Sequence, residues 1–358
     1  MENSWLNPMR GSRTPAQREL IDLRHTEQAR AFFRGHPGYR PTPLRPLPAL
    51  AEAVGVASVE IKDESTRMGL GSFKALGAGY AVARLVRAEA EEGFGPRPTG
   101  EQLRAAAART PFVCASAGNH GLSMAAGVRE LGGTPVVFLS ARVPEHFARL
   151  LRSRGAEVRR VGDDYEQSMA AALEVARRHG WRLVSDSSWE GYTGVPLDIM
   201  RGYTVLFDEL DSPPTHVFVQ AGVGGLAAAA AGYARDRWGE RVRIVVVEPQ
   251  AAPCLLASVR AGRPTRVEGG RTALGRLDCR EPSLLAWRLL SRLADAFVTI
   301  DDEQAETAAR MLAAEGVGVS ACGAAGAAGL LALAPTARTA LDLGPASRVL
   351  AVGSEAAQ

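Results

Sequence analysis

The hydrophobic pattern of this 358-residue chain switches repeatedly between two periods. Short runs rich in Val, Ile and Phe recur: "VEIK" (59–62), "FVCAS" (112–116), "PVVFLS" (135–140), "EVRRVG" (157–162) and "RLVSD" (182–186). They continue with "HVFVQAG" (216–222), "RIVVVEP" (243–249), "AFVTI" (296–300) and "RVLAVGS" (348–354). Runs of this length and composition read as strands. Most precede Ala- and Leu-rich segments, such as "HFARLLRSRG", "YEQSMAAALEVARRHG" and "EQAETAARMLAAEG". Their apolar residues fall three and four apart, which gathers them on one face of a helix. Strands alternating with helices in this way predict parallel sheets covered by helices on both faces. The Gly- and Pro-rich "EEGFGPRPTGEQ" (91–102) reads as a linker or insertion. About the first forty residues lack strong periodicity and read as an arm on the surface or at a subunit interface.

Composition narrows the class. The length predicts two domains or one large one. A hydrophobic fraction of 46% and a charged fraction of 23% are those of an ordinary globular protein. The net charge of +3, with both signs spread along the chain, leaves no footprint for nucleic acid or an anionic membrane. No apolar run reaches the ~20 residues that span a bilayer. The opening "MENSWLNPMRGSRTPAQREL" lacks the apolar core of a signal peptide. The expectation is a cytoplasmic protein whose partner is a small molecule. Cys114, Cys254, Cys279 and Cys322 form no CxxC pair and the six histidines do not cluster. A metal site is therefore not expected, and hard chemistry points to an organic cofactor.

Three stretches carry candidate chemistry. The chain has 42 Lys plus Arg, yet only Lys62 and Lys74 are lysine, and both fall within "IKDESTRMGLGSFKALGAGYAV". A buried lysine can lose its proton and act as a nucleophile, whereas arginine cannot. Lys74, at the start of an apolar helix, thus reads as a residue kept for its amine. The second stretch is "SAGNHG" (116–121), between the strand "FVCAS" and a helical segment. Such a turn offers backbone N–H groups to a carboxylate or phosphate, or Asn119 simply caps the helix. The third, "QAGVGGLAAAAAGYA" (220–234), also passes from strand through glycines into a helix. It departs from GxGxxG because position 227 is alanine, and it lacks a GKS or GKT ending. A mononucleotide-like phosphate suits it better.

Taken in order, "SFK", "SAGNHG" and "GVGGL" resemble the fold-type II enzymes that depend on pyridoxal phosphate. "GNHG", "SDSSWEGYTGVPLDIMRGY" and "GRLDCREPSLLAW" narrow the resemblance to the diaminopropionate ammonia-lyase family, from about residue 36 to the C-terminus. The resemblance implies two α/β domains, each with a twisted, mostly parallel sheet flanked by helices. The larger would comprise 1–88 and 191–358, and the smaller 89–190 with the "SAGNHG" loop. It implies a homodimer, an amino-acid substrate and pyridoxal 5'-phosphate.

The resemblance also assigns roles. Lys74 would carry the cofactor covalently, beside Phe73. Asn119 would bond the ring hydroxyl. Gly222, Val223, Gly224 and Gly225 would hold the phosphate. Ser354 would face the ring nitrogen and leave it largely unprotonated. Ser116, Ala117, Gly118 and His120 would take the substrate carboxylate. Trp189, Glu190 and Tyr192 would order the wall of the site, with packing in the core the equal alternative for Trp189. Asp186, at the end of "RLVSD", would take the Cα proton of the L-substrate; read from its position alone, it is equally a turn or capping residue. The family usually has "TDGNHG", whose aspartate serves the D-isomer; here that position is Ala117. The expected activity is L-preferring elimination of a β-amino group from 2,3-diaminopropionate, giving pyruvate and ammonia through aminoacrylate. A serine/threonine dehydratase or a β-replacement enzyme is the near alternative, and an inactive binding protein the distant one. Cys254 and Cys279 fall where the family has a cysteine pair able to form a disulfide; reduced thiols are the default in a cytoplasmic protein.

Overall fold

In the computed structural model, which describes residues 3–357, every strand-like run of the sequence becomes a strand and two short ones are added. The strands are Ser4–Leu6 (β1), Leu44–Pro46 (β2), Ser58–Asp63 (β3), Phe112–Cys114 (β4), Pro135–Leu139 (β5) and Glu157–Arg160 (β6). They continue with Arg182–Leu183 (β7), His216–Gln220 (β8), Arg243–Pro249 (β9), Ala296–Ile300 (β10) and Arg348–Gly353 (β11). They form a seven-stranded sheet, ordered β1-β10-β9-β8-β11-β3-β2, and a four-stranded sheet, ordered β6-β5-β4-β7. The four-stranded sheet is parallel throughout, and the larger sheet is parallel except for its two edge strands. Every residue of β8 is buried, and all but the first of β9 and β11. Burial on both faces explains why these strands are continuous apolar runs rather than alternating ones.

The chain divides into two compact units. One holds the larger sheet and runs through Phe73, takes in Ser187–Gly191 and resumes at Tyr203. The other, Lys74–Asp186 with Tyr192–Gly202, holds the smaller sheet. Residues 192–202, expected with the large domain, thus group with the smaller sheet, and 187–190, expected with the small one, group with the larger. Residues 74–88, expected with the large domain, also group with the smaller sheet. The reason is helix packing: Ala78–Phe94 lies against Asn119–Glu130, where Gly79 and Gly127 let the backbones approach closely.

The N-terminal segment differs from the expected arm. Its β1 pairs with β10, and helices Pro15–Leu20 and Leu23–Arg34 follow. Asn7 Nδ2 donates to the carbonyls of Ser291 and Ala294, and Ile21, Ala29 and Phe33 are buried. Capping boxes at Thr14–Gln17 and Asp22–His25 start the two helices. The expected linker is a turn between helices Ala78–Phe94 and Gly100–Ala108. Among the described residues no helix is long and apolar enough to cross a membrane.

Candidate active site

The two lysines have different fates. Lys62, in β3, is buried, and its Nζ lies 2.6 Å from Glu209 Oε2 and donates to the Thr42 carbonyl at 2.6 Å. Arg67 joins the same cluster, 2.7 Å from both Glu64 Oε1 and Glu209 Oε1. Lys62 is thus committed to a buried ion-pair network. Lys74 sits in the 3₁₀ turn Phe73–Leu76, and its Nζ donates to Asp186 Oδ2 at 2.5 Å. Burial by itself would raise the Asp186 carboxyl. The Lys74 charge, then His120, and the hydrogen bond from Lys74 outweigh it and hold the carboxyl well below the usual carboxylate range.

Asp186 is placed by the strand before it. Val184 N–H donates to the Val113 carbonyl, carrying the pairing of β7 with β4 one residue past its end. The Tyr192 hydroxyl donates to Leu183 O at 2.9 Å and accepts from Ser185 N–H at 3.0 Å, bracing the chain just ahead of Asp186. No helix begins at Asp186, so the capping role is not the one it plays. His120 Nε2 faces the Val184 carbonyl at 2.8 Å and must carry a proton to bond it. Its Nδ1 makes no hydrogen bond and lies 3.9 Å from Asp186 Oδ2. Ser123 Oγ donates to the Lys74 carbonyl at 2.7 Å and fixes the backbone that carries the amine.

Helix Asn119–Glu130 is capped by Gly118, without a side-chain cap, so Asn119 does not cap it. Ser116, Ala117, Gly118 and Asn119 are half-buried, and His120 is buried. Ser116, His120, Asp186, Cys114 and Met169 line a cavity of about 50 Å³. It has room for a substituent of a few heavy atoms.

The glycine loop follows β8. Gly224 has φ +100°, which a side chain rarely tolerates, and a Cβ there would stand 2.9 Å from Ala286 Cβ. A Cβ on Gly222 would stand 2.9 Å from Cys279 Sγ. Gly224 caps the thirteen-residue helix Gly225–Arg237 and supplies no side-chain acceptor. The first-turn N–H groups and the helix dipole are therefore available to an anion. The Val223 carbonyl accepts from Ser283 N–H at 2.9 Å, which pins the loop. Ser354 is buried, and its carbonyl accepts from Phe73 N–H at 3.1 Å. The Phe73 ring packs edge-on against Tyr203, with centroids 4.8 Å apart. Cys254 and Cys279 are not joined in a disulfide, and burial pushes the Cys254 thiol up. Among the described residues no group of three or more His, Cys, Asp and Glu could hold a metal ion.

Sequence reasoning missed Ser123 and Gln220. Ser123 has no sequence signal. Gln220 does: it is a polar residue directly after the apolar, buried "VFV" of β8.

Comparison with known proteins follows the same lines. Residues 36–355 match the family described as pyridoxal-phosphate dependent enzyme. The chain is 33% identical over 302 residues to the diaminopropionate ammonia-lyase of Escherichia coli strain K12, covering 82% of this chain and 76% of that one. The crystal structure of the Escherichia coli diaminopropionate ammonia lyase in complex with D-serine superposes with a TM-score of 0.88 at 30% identity. It covers 99% of this chain and 93% of that chain. The same lyase in complex with an aminoacrylate-PLP azomethine reaction intermediate gives a TM-score of 0.86 at 30% identity, with the same coverage of both chains.

Proposed function

Because this chain belongs to the family of pyridoxal-phosphate-dependent enzymes, we propose that it is an ammonia-lyase that eliminates the β-amino group of 2,3-diaminopropionate, preferring the L-isomer. The Lys74–Asp186 pair is the observation that carries the reading. The identity to diaminopropionate ammonia-lyases supports the choice of substrate.

The residues fit the cofactor. A dianionic phosphate suits the uncapped helix N-terminus at Gly222–Gly225, where a side-chain cation is not needed. Ser354 would offer its buried hydroxyl to the ring nitrogen, Asn119 would offer an amide to the ring hydroxyl, and Lys74 would supply its amine for covalent attachment. When bound, pyridoxal phosphate supplies the electron sink that makes removal of a carbon-bound proton feasible.

The chain's own residues do the rest. Ser116 and the N–H groups of Ala117, Gly118 and His120 hold the substrate carboxylate at the start of a helix. Asp186 takes the Cα proton on the L-face. Ala117 has no group able to take the proton of the D-isomer. His120 keeps the Asp186 side of the cavity polar. The Cβ–N bond breaks and ammonia leaves, its proton supplied by Lys74. The 2-aminoacrylate released becomes the imine and adds water, giving pyruvate and a second ammonia. Assay of both products tests this: two ammonia per pyruvate from L-diaminopropionate supports it. Faster turnover of L-serine or L-threonine, with one ammonia per keto acid, makes the protein a dehydratase instead.

The reading extends to a cytoplasmic homodimer, an expectation carried by the family resemblance, and sedimentation velocity tests the assembly.

A further inference from the structure

Gln220, at the end of β8, is 3% exposed. Its Nε2 lies 2.8 Å from Ser354 Oγ, 3.0 Å from the Val352 carbonyl and 3.1 Å from those of Cys322 and Gly323. Its Oε1 makes no hydrogen bond. Three of the four neighbours of Nε2 are backbone carbonyls, which only accept. They turn the amide nitrogen, and not its oxygen, towards Ser354. Leaving Oε1 without a donor is unfavourable, so the orientation is imposed from the nitrogen side.

This settles the direction of the hydroxyl. An amide NH₂ cannot accept a hydrogen bond. Whether its two protons go to Oγ or to carbonyls, Ser354 cannot donate to Gln220. The Ser354 side chain donates to no other protein atom among the described residues. Its proton is therefore free for a ligand acceptor.

We propose that Gln220 is a positioning residue: it keeps the Ser354 hydroxyl a donor, so that the cofactor's ring nitrogen accepts a hydrogen bond and stays unprotonated. This rests on the reading of Ser354 as the ring-nitrogen partner. A neutral ring withdraws less charge from Cα and favours expulsion of the β-group.

The test loads the protein with pyridoxal phosphate labelled with ¹⁵N in the ring and follows the ring resonance against pH. The native protein keeps a neutral-pyridine resonance to the lowest pH. Gln220→Glu puts an acceptor against Oγ, turns the hydroxyl proton inward, and raises the ring protonation midpoint by roughly one pH unit. Gln220→Met removes the amide without adding a charge and raises the midpoint less. A purely structural role would lower stability or cofactor retention without moving the midpoint. If Ser354→Ala moves the midpoint and both Gln220 variants leave it at the native value, the role of Gln220 is overturned while that of Ser354 stands. If Ser354→Ala also leaves it unchanged, the reading of Ser354 falls and the inference with it.

Discussion

Lys74 and Gly224 serve one proposed cofactor by opposite means. Around Lys74 the chemistry lies in side chains: an amine, a carboxylate 2.5 Å from it and an imidazole, held by hydrogen bonds from Ser123 and Tyr192 and to the Val184 carbonyl. Around Gly224 it lies in the backbone, in N–H groups whose direction is set by the conformation of the loop, within a buried frame of β8, β11 and helix Gly225–Arg237. Side-chain chemistry depends on residue type, so its loss is all-or-none. Backbone chemistry depends on conformation, so its loss is graded by how far a substitution moves the chain.

Four substitutions can break or sharpen that contrast. The largest effect belongs to Lys74→Ala, which should lower turnover more than about a thousandfold and abolish covalent trapping of cofactor by borohydride. Adduct still trapped on the variant, located by mass spectrometry, would place the attachment elsewhere. Asp186→Asn follows, with L-diaminopropionate turnover falling about 10²–10⁴-fold while the spectrum of the bound cofactor persists. Retained turnover would remove Asp186 from the role of base.

Lys62→Ala should act on stability alone. Breaking a buried pair with Glu209 costs about 3–5 kcal/mol in denaturant unfolding, with cofactor attachment intact. Gly224→Val comes next: a side chain at φ +100° costs about 1–3 kcal/mol, and cofactor affinity should weaken about tenfold. Unchanged affinity there would count against the backbone cradle.

The smallest effect is on acid stability. Pairing holds the Asp186 carboxyl below its ordinary value, so its contribution is full above about pH 4 and fades as pH falls further. In cofactor-free protein, the gap in Tm between native and Asp186→Asn should narrow below about pH 4. A gap that stays constant on acidification would mean the pair contributes nothing.

The same contrast sets what could be read from the sequence. Lys74 stands out because lysine is so rare in this chain, and the glycine loop because its glycines lie between a strand and a helix, with Gly224 at φ +100°. The parallel sheets followed from long apolar runs buried on both faces. The N-terminal segment was illegible as structure because its strand is three residues long and its first helix six, too short for a period to emerge, although both capping boxes were present. From sequence Asn119 is indistinguishable from an N-cap, whereas in the structure Gly118 holds that position. Ser123 was invisible because its partner is a backbone carbonyl 49 residues away.

The central claim is that elimination runs on one face, from Asp186, with Ala117 silent on the other. The direct measurement is pyruvate release from enantiomerically pure L- and D-2,3-diaminopropionate by the unmodified holoenzyme. A kcat/KM for the L-isomer at least about a hundredfold above that for the D-isomer is the predicted result. Comparable values for the two isomers would contradict it and require a second base.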